Sequence, residues 1–148
     1  MKIAKTATPA AISVLRQATA LRPKRKKASD GLLPSAAHRV ASPNSDHDTG
    51  YAVDLTHDPE HGIDCFELFE KLRADKRVKY LIFTGKIWST KNGEYRYTGS
   101  NPHNKHLHIS INDTHGKDTS PWFPWLGKPK IANKVKARVK PLPKKEIK

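Results

Sequence analysis

Three of the eight histidines crowd into one short stretch, NPHNKHLHIS, as His103, His106 and His108. The segment His106 to Ile111 reads as a strand, so His106 and His108, two apart, project from the same face. Leu107, Ile109 and Ile111 take the other face and read as core. Two histidines on the exposed face of such a strand are placed to hold a metal ion or to serve one. A second cluster lies upstream, SDHDTGYAVD over residues 45–54. A turn at Gly50 would bring His47 beside Asp54 on the next strand. That strand, Ala52 to Thr56, points Val53 and Leu55 to the core and sets Asp54 on the other face with Ala52 and Thr56. An aspartate at the edge of a core needs a partner, and a cation is one. Two histidines and a carboxylate around an open fourth position describe a catalytic zinc site. Such an ion activates a water near neutral pH and polarises a carbonyl. A further histidine off the metal would pass the proton to a leaving amine. Spacing alone leaves open which histidine of the last cluster is the ligand.

Other elements must position these groups. Thr8 followed by Pro9 reads as a helix N-cap and a first helical residue. Ala11, Ile12, Val14, Leu15 and Ala18 carry that helix to about Leu21, and Pro23 with the run Lys24 to Lys27 ends it. Residues 28–50 have loop composition, and a loop of that length in a small domain is usually functional. Asp64 caps a second, amphipathic helix that carries Phe66, Phe69 and Leu72 on one side, with Leu68 beside them. Val78 to Thr84 reads as a strand, Gly85 as a turn into another, Lys86 to Ser89, and Gly93 and residues 99–102 as turns. From Asp113 on, prolines and lysines dominate and no regular element is expected. Strands interleaved with two helices predict an α+β domain, a small antiparallel sheet with flanking helices, over residues 1–112. A basic Pro- and Lys-rich tail completes the chain, residues 113–148. Its rings, Trp122, Phe123 and Trp125, would form an exposed patch if free, so they are expected to fold back over the domain. Cys65 is expected to pack as a small hydrophobe, and Asp46 and Asp48 to tune a metal ligand or cap a turn.

Composition bounds the answer further. A chain of 148 residues and 16.6 kDa allows one modest domain. One cysteine excludes an intramolecular disulfide and a cysteine-rich zinc site. No apolar run reaches the ~18 residues of a membrane span, and the N-terminus lacks the apolar stretch of a secretory signal peptide. The net charge of +14 is uneven. Residues 1–28 hold 8 basic and 0 acidic residues, residues 29–112 hold 10 and 11, and residues 113–148 hold 10 and 3. Basic ends flank a near-neutral middle, and they could meet an anionic cell-wall polymer or an anionic lipid surface.

Ser45, His47, Gly50, Ala52 and Asp54 match the pattern S-x-H-x-x-G-x-A-x-D. Taken with the later H-x-H of His106 and His108, the chain resembles the zinc peptidases that include D-Ala-D-Ala carboxypeptidases, L-alanyl-D-glutamate endolysins and the penicillin-insensitive murein endopeptidase. The hedgehog signalling domain shares their fold. The wider stretch, ASDGLLPSAAH, SPNSDHDTGYAVD and YTGSNPHNKHLHISI, is similar to a phage-type branch, and the resemblance covers about residues 8–112. It implies zinc held by His47, Asp54 and His108, with His106 as base or transition-state stabiliser and His103 in contact with substrate or transition state. It also offers Arg39 for the oxyanion-stabilising arginine of some relatives. Many relatives carry an acid three residues before the last histidine ligand, where this chain has Lys105. The implied substrate is the peptide part of peptidoglycan, cut by a monomeric enzyme. Synthesis in the bacterial cytoplasm and action on the cell wall are expected, with no specific nucleic-acid partner.

Two other readings stay in view. The charge and the set Asn101, His103, Asn104 and His106 are superficially like histidine–asparagine nucleases, whose ligands are split between a hairpin and a subsequent helix. Lys105 in place of an acid would suit a wall-binding module that keeps the fold without catalysis.

Overall fold

The computed structural model describes residues 6–33, 45–99 and 103–127. Arg39, Asn101 and the lysines from Lys128 onward lie outside the described residues. Helix α1, Pro9–Leu21, starts at the expected cap, with the Thr8 hydroxyl accepting from the Ala11 amide at 3.3 Å. Helix α2, Cys65–Lys71, is capped by Asp64 and tightens into a 3-10 turn, Leu72–Ala74. Its buried side is Cys65, Leu68, Phe69 and Leu72, a stripe of i, i+3, i+4 and i+7. Phe66, expected on that side, is 55% exposed. Cys65 takes the inward position, and the next residue is turned about 100° away from it. The Phe66 ring lies instead across the rings of His57 and Phe83.

Five strands form one antiparallel sheet: β1 Ala52–Thr56, β2 Val78–Phe83, β3 Lys86–Ser89, β4 Gly93–Arg96 and β5 His106–Ile111. Their order is β1-β5-β2-β3-β4. The fold is α+β as expected. Gly93, read from sequence as a turn, is the first residue of β4 and pairs with Ser89. Its positive φ of 71° lets the tight turn run directly into the strand. A short 3-10 turn, Asp113–His115, stands where no regular element was expected.

Both helices cover one face of the sheet. Val53, Leu55, Leu81, Phe83, Leu107, Ile109 and Ile111 meet Val14, Ala18, Leu68 and Phe69 in a single core. Trp122 and Phe123 are buried in that same core, so the packed unit runs well past residue 112. The Trp122 indole N–H donates to the Ser13 hydroxyl at 2.8 Å, and the Arg77 guanidinium lies 3.6 Å from the ring centroid. Arg77 also donates to the carbonyls of Ser120 and Pro121, and Arg22 to that of Leu126. These arginines fasten the chain around residues 120–126 to the domain.

The N-terminal basic stretch is likewise partly structural. Arg25 is buried and grips Asp30 with two bonds of 3.0 and 2.8 Å. Asp30 in turn accepts from the Thr56 hydroxyl at 2.7 Å. This chain of bonds ties the segment before Gly31 to β1, and Gly31 pairs with the Asp54 backbone. No helix among the described residues is long and apolar enough to cross a membrane.

Candidate metal centre

The sheet face opposite the helices carries the histidines. The register places Asp54 directly across from His108 and Thr56 across from His106. Opposed residues on antiparallel strands share a face, so Asp54, His106 and His108 converge. This face of β5 is not exposed as the sequence suggested. With β1 on one side, β2 on the other and the loop of residues 45–50 above, His108 and Ser110 are buried.

His47 arrives from that loop. The Ser45 hydroxyl accepts from the His47 amide at 3.2 Å, and the Gly50 amide returns to the His47 carbonyl at 3.1 Å. Gly50 has φ +82°, and a Cβ there would lie 2.9 Å from the Thr6 carbonyl oxygen and 3.0 Å from the Ala7 Cα. The turn therefore requires glycine, both for its left-handed backbone and for its closeness to the start of α1.

One ring proton is fixed by its partner, because a carbonyl oxygen only accepts. His47 Nδ1–H donates to the Leu32 carbonyl at 2.7 Å, and its Nε2 faces Asp54 Oδ1, 3.2 Å away. His108 Nε2 lies 2.8 Å from the Ser110 hydroxyl, and its Nδ1 faces the same Oδ1 at 3.3 Å. His106 Nε2 stands 3.4 Å from Asp54 Oδ2. Among the described residues, neither His108 Nδ1 nor His106 Nε2 has a well-formed hydrogen bond, although both are buried. Ligand atoms of His47, Asp54 and His108 all lie within 4.8 Å of one another. Two imidazole nitrogens and a carboxylate oxygen this close form a cluster that could bind a metal ion, and this donor set fits one.

Without an ion, the cluster's charges form an ion pair of His47 with Asp54 beside a neutral His108. Burial would push the Asp54 carboxyl up, but the His108 and His47 rings set against it hold it far below the usual carboxylate range. Burial pulls His47 down, yet the bond and charge of Asp54 outweigh it and leave His47 raised. Burial dominates at His108 and lowers it, favouring the neutral ring that a ligand must be.

Another histidine ring packs beside the cluster. His103 meets His106 and His108 edge-on, with centroids 5.2 and 5.6 Å apart, and Tyr97 backs it at 5.5 Å. Its φ is +58°, and its carbonyl accepts from the Thr84 amide, itself at φ +47°. Left-handed backbone at two non-glycine residues is strain held beside the cluster.

The sequence-predicted residues His47, Asp54, His103, His106 and His108 are thus brought together, and Arg39 lies outside the described residues. The Lys105 side chain is exposed, and its carbonyl accepts from the His57 amide. His57 Nδ1 is occupied by the Cys65 amide at 3.0 Å, so it serves the start of α2 rather than the cluster. Asp46 accepts from Lys79 Nζ. Cys65 is buried, as expected of a small hydrophobe. A split nuclease-type site would require a helix after β5 to carry one of its ligands. The chain instead leaves β5 for the three-residue 3-10 turn, and His106 and His108 share one strand.

Three contributors were not read from the sequence. The Ser110 hydroxyl holds His108 Nε2, the Leu32 carbonyl holds His47 Nδ1, and Tyr80 stacks on His108 with centroids 5.3 Å apart. Ser110 was within reach, because it is two residues beyond His108 on the same strand face. A backbone carbonyl such as that of Leu32 leaves no trace in residue type. Groups that orient a metal ligand typically contribute 10–100-fold in affinity. Ser110→Ala is therefore expected to weaken zinc binding by roughly tenfold or more, measured by competition with a chromophoric chelator. Ser110→Thr, which keeps the hydroxyl, is expected to retain most of it.

The chain matches no family model, no curated protein and no solved structure.

Proposed function

We propose that the protein is a zinc-dependent peptidase that hydrolyses an amide bond in the peptide part of bacterial peptidoglycan, with the hedgehog/DD-peptidase type of fold. The observation that carries this reading is the convergence of two imidazole nitrogens and one carboxylate, with His106 and His103 left over beside them. His47, Asp54 and His108 would hold the ion. Bound there, zinc supplies Lewis acidity toward a water and an amide carbonyl. His106 Nε2 reaches the second Asp54 oxygen, so the ring is held at the edge of the cluster. From that position it can take a proton from the attacking water and return it to the leaving amine. His103, held by its left-handed backbone and by Tyr97, stands beside the cluster where it could contact substrate or transition state. The matched S-x-H-x-x-G-x-A-x-D and H-x-H patterns support the same chemistry, and they favour a cell-wall lytic enzyme of phage type. Lys105 in the place of the familiar acid leaves His106 as the proton carrier.

Mass spectrometry of purified peptidoglycan after incubation with the protein tests this. New peptide termini that disappear with a chelator are expected, and the mass change names the bond. A wall left intact by zinc-loaded protein would overturn the proposal and favour a binding module.

A further inference from the structure

Strand β2 does not alternate regularly. Val78 and Leu81 are both fully buried in the core, with Lys79 and Tyr80 between them. The register with β5 explains this: Val78 pairs with Ile111 and Tyr80 with Ser110, so two steps on β2 match one on β5. This is a β-bulge, and bulges re-aim side chains, often beside active sites. Here both bulge residues turn away from the core to the metal side of the sheet. Tyr80 stacks on His108, and the Lys79 ammonium reaches Asp46 at 3.1 and 3.3 Å, next to His47. Without the bulge, strict alternation would send one of the two to the helical side.

The Lys79 side chain is 43% exposed, whereas that of Asp46 is 16% exposed. A half-exposed ion pair contributes little to stability. The ammonium has three donors, so beyond its bonds to Asp46 its exposed side can take a second acceptor. We propose that Lys79 is the anchor for a carboxylate on the ligand, so that the site takes peptides with a free carboxylate near the bond it acts on. This deepens the reading of the centre as a peptidase and rests on it for the word substrate. The carboxylate preference itself is a binding property.

The test uses the peptidoglycan stem peptide with its carboxylates free, and the same peptide with every carboxylate amidated. Each is titrated into metal-free protein and followed by NMR, so that no ion competes for the carboxylate and no hydrolysis is needed. The free acid is expected to bind the wild type about tenfold tighter or more, the size of one charge-assisted hydrogen bond. Lys79→Met should erase the difference and Lys79→Arg should keep it. In the double variant Asp46→Asn with Lys79→Met, the difference should stay lost. Its return there would mean that an unneutralised Asp46 had caused the effect, and would overturn the proposal. Equal binding of acid and amide by the wild type, or an unchanged preference in K79M, would also overturn it. Failure of hydrolysis alone would count against the peptidase reading and leave the carboxylate preference standing.

Discussion

Asp54→Asn is expected to cost zinc affinity more than about 100-fold, beyond the 10–100-fold of an outer partner, and to abolish hydrolysis. His47, His106 and His108 all converge on Asp54. The amide keeps the shape and removes the charge, so the loss would be electrostatic rather than steric. The same variant has a signature in the metal-free protein. His47 has a raised pKa, so its share of the ion pair is fully present below the ordinary value of 6.5 and is lost as pH rises through the folded value. Asp54 has a depressed pKa, so its share is present above the ordinary 3.8 and is lost as pH falls through the folded value. The melting-temperature gap between wild type and D54N should therefore be widest between those two ordinary values and should narrow at higher pH. A gap that grows steadily above pH 7 would mean that the pair is not organised in this way.

Trp122→Ala is expected to destabilise the domain by about 3–5 kcal/mol, the usual range for a large ring removed from a core. The indole is fully buried, bonded to Ser13 and covered by Arg77. Its loss would leave a cavity and strip the guanidinium of its stacking partner. A domain of this size has a stability of only about 5–15 kcal/mol, so ending the chain at residue 112, which removes Phe123 as well, should prevent folding. Chemical denaturation of the point variant and circular dichroism of the truncated chain check the two statements. A truncated chain with the native melting transition would show that the rings merely cover the surface.

The two predictions separate what a sequence carries plainly from what it hides. Period-two alternation made β1 and β5 legible to their end residues, because each has one clean apolar side. It also put Asp54, His106 and His108 on faces from which they could meet. Pairing, however, depends on which strands are neighbours. The insertion of β5 between β1 and β2 is what buries His108, and nothing local in NPHNKHLHIS states it. The bulge at Lys79 breaks the very alternation used to read strands, so the roles of Lys79 and Tyr80 were hidden. Phe66 escapes a reading by periodicity because Cys65, small and at the first turn of α2, holds the inward position. Gly93 looks like a turn because its positive φ belongs equally to a turn and to the strand residue just after one. The boundary at residue 112 reflects composition, whereas Trp122 belongs to the core through partners more than 100 residues away in the chain.

The centre itself is tested most directly by anomalous diffraction at the zinc edge from crystals grown with stoichiometric zinc. One peak is predicted, bounded by His47 Nε2, Asp54 Oδ1 and His108 Nδ1, with His106 beside it and not bound. A peak held by other residues, or no peak at this cluster in zinc-replete protein, would contradict the account.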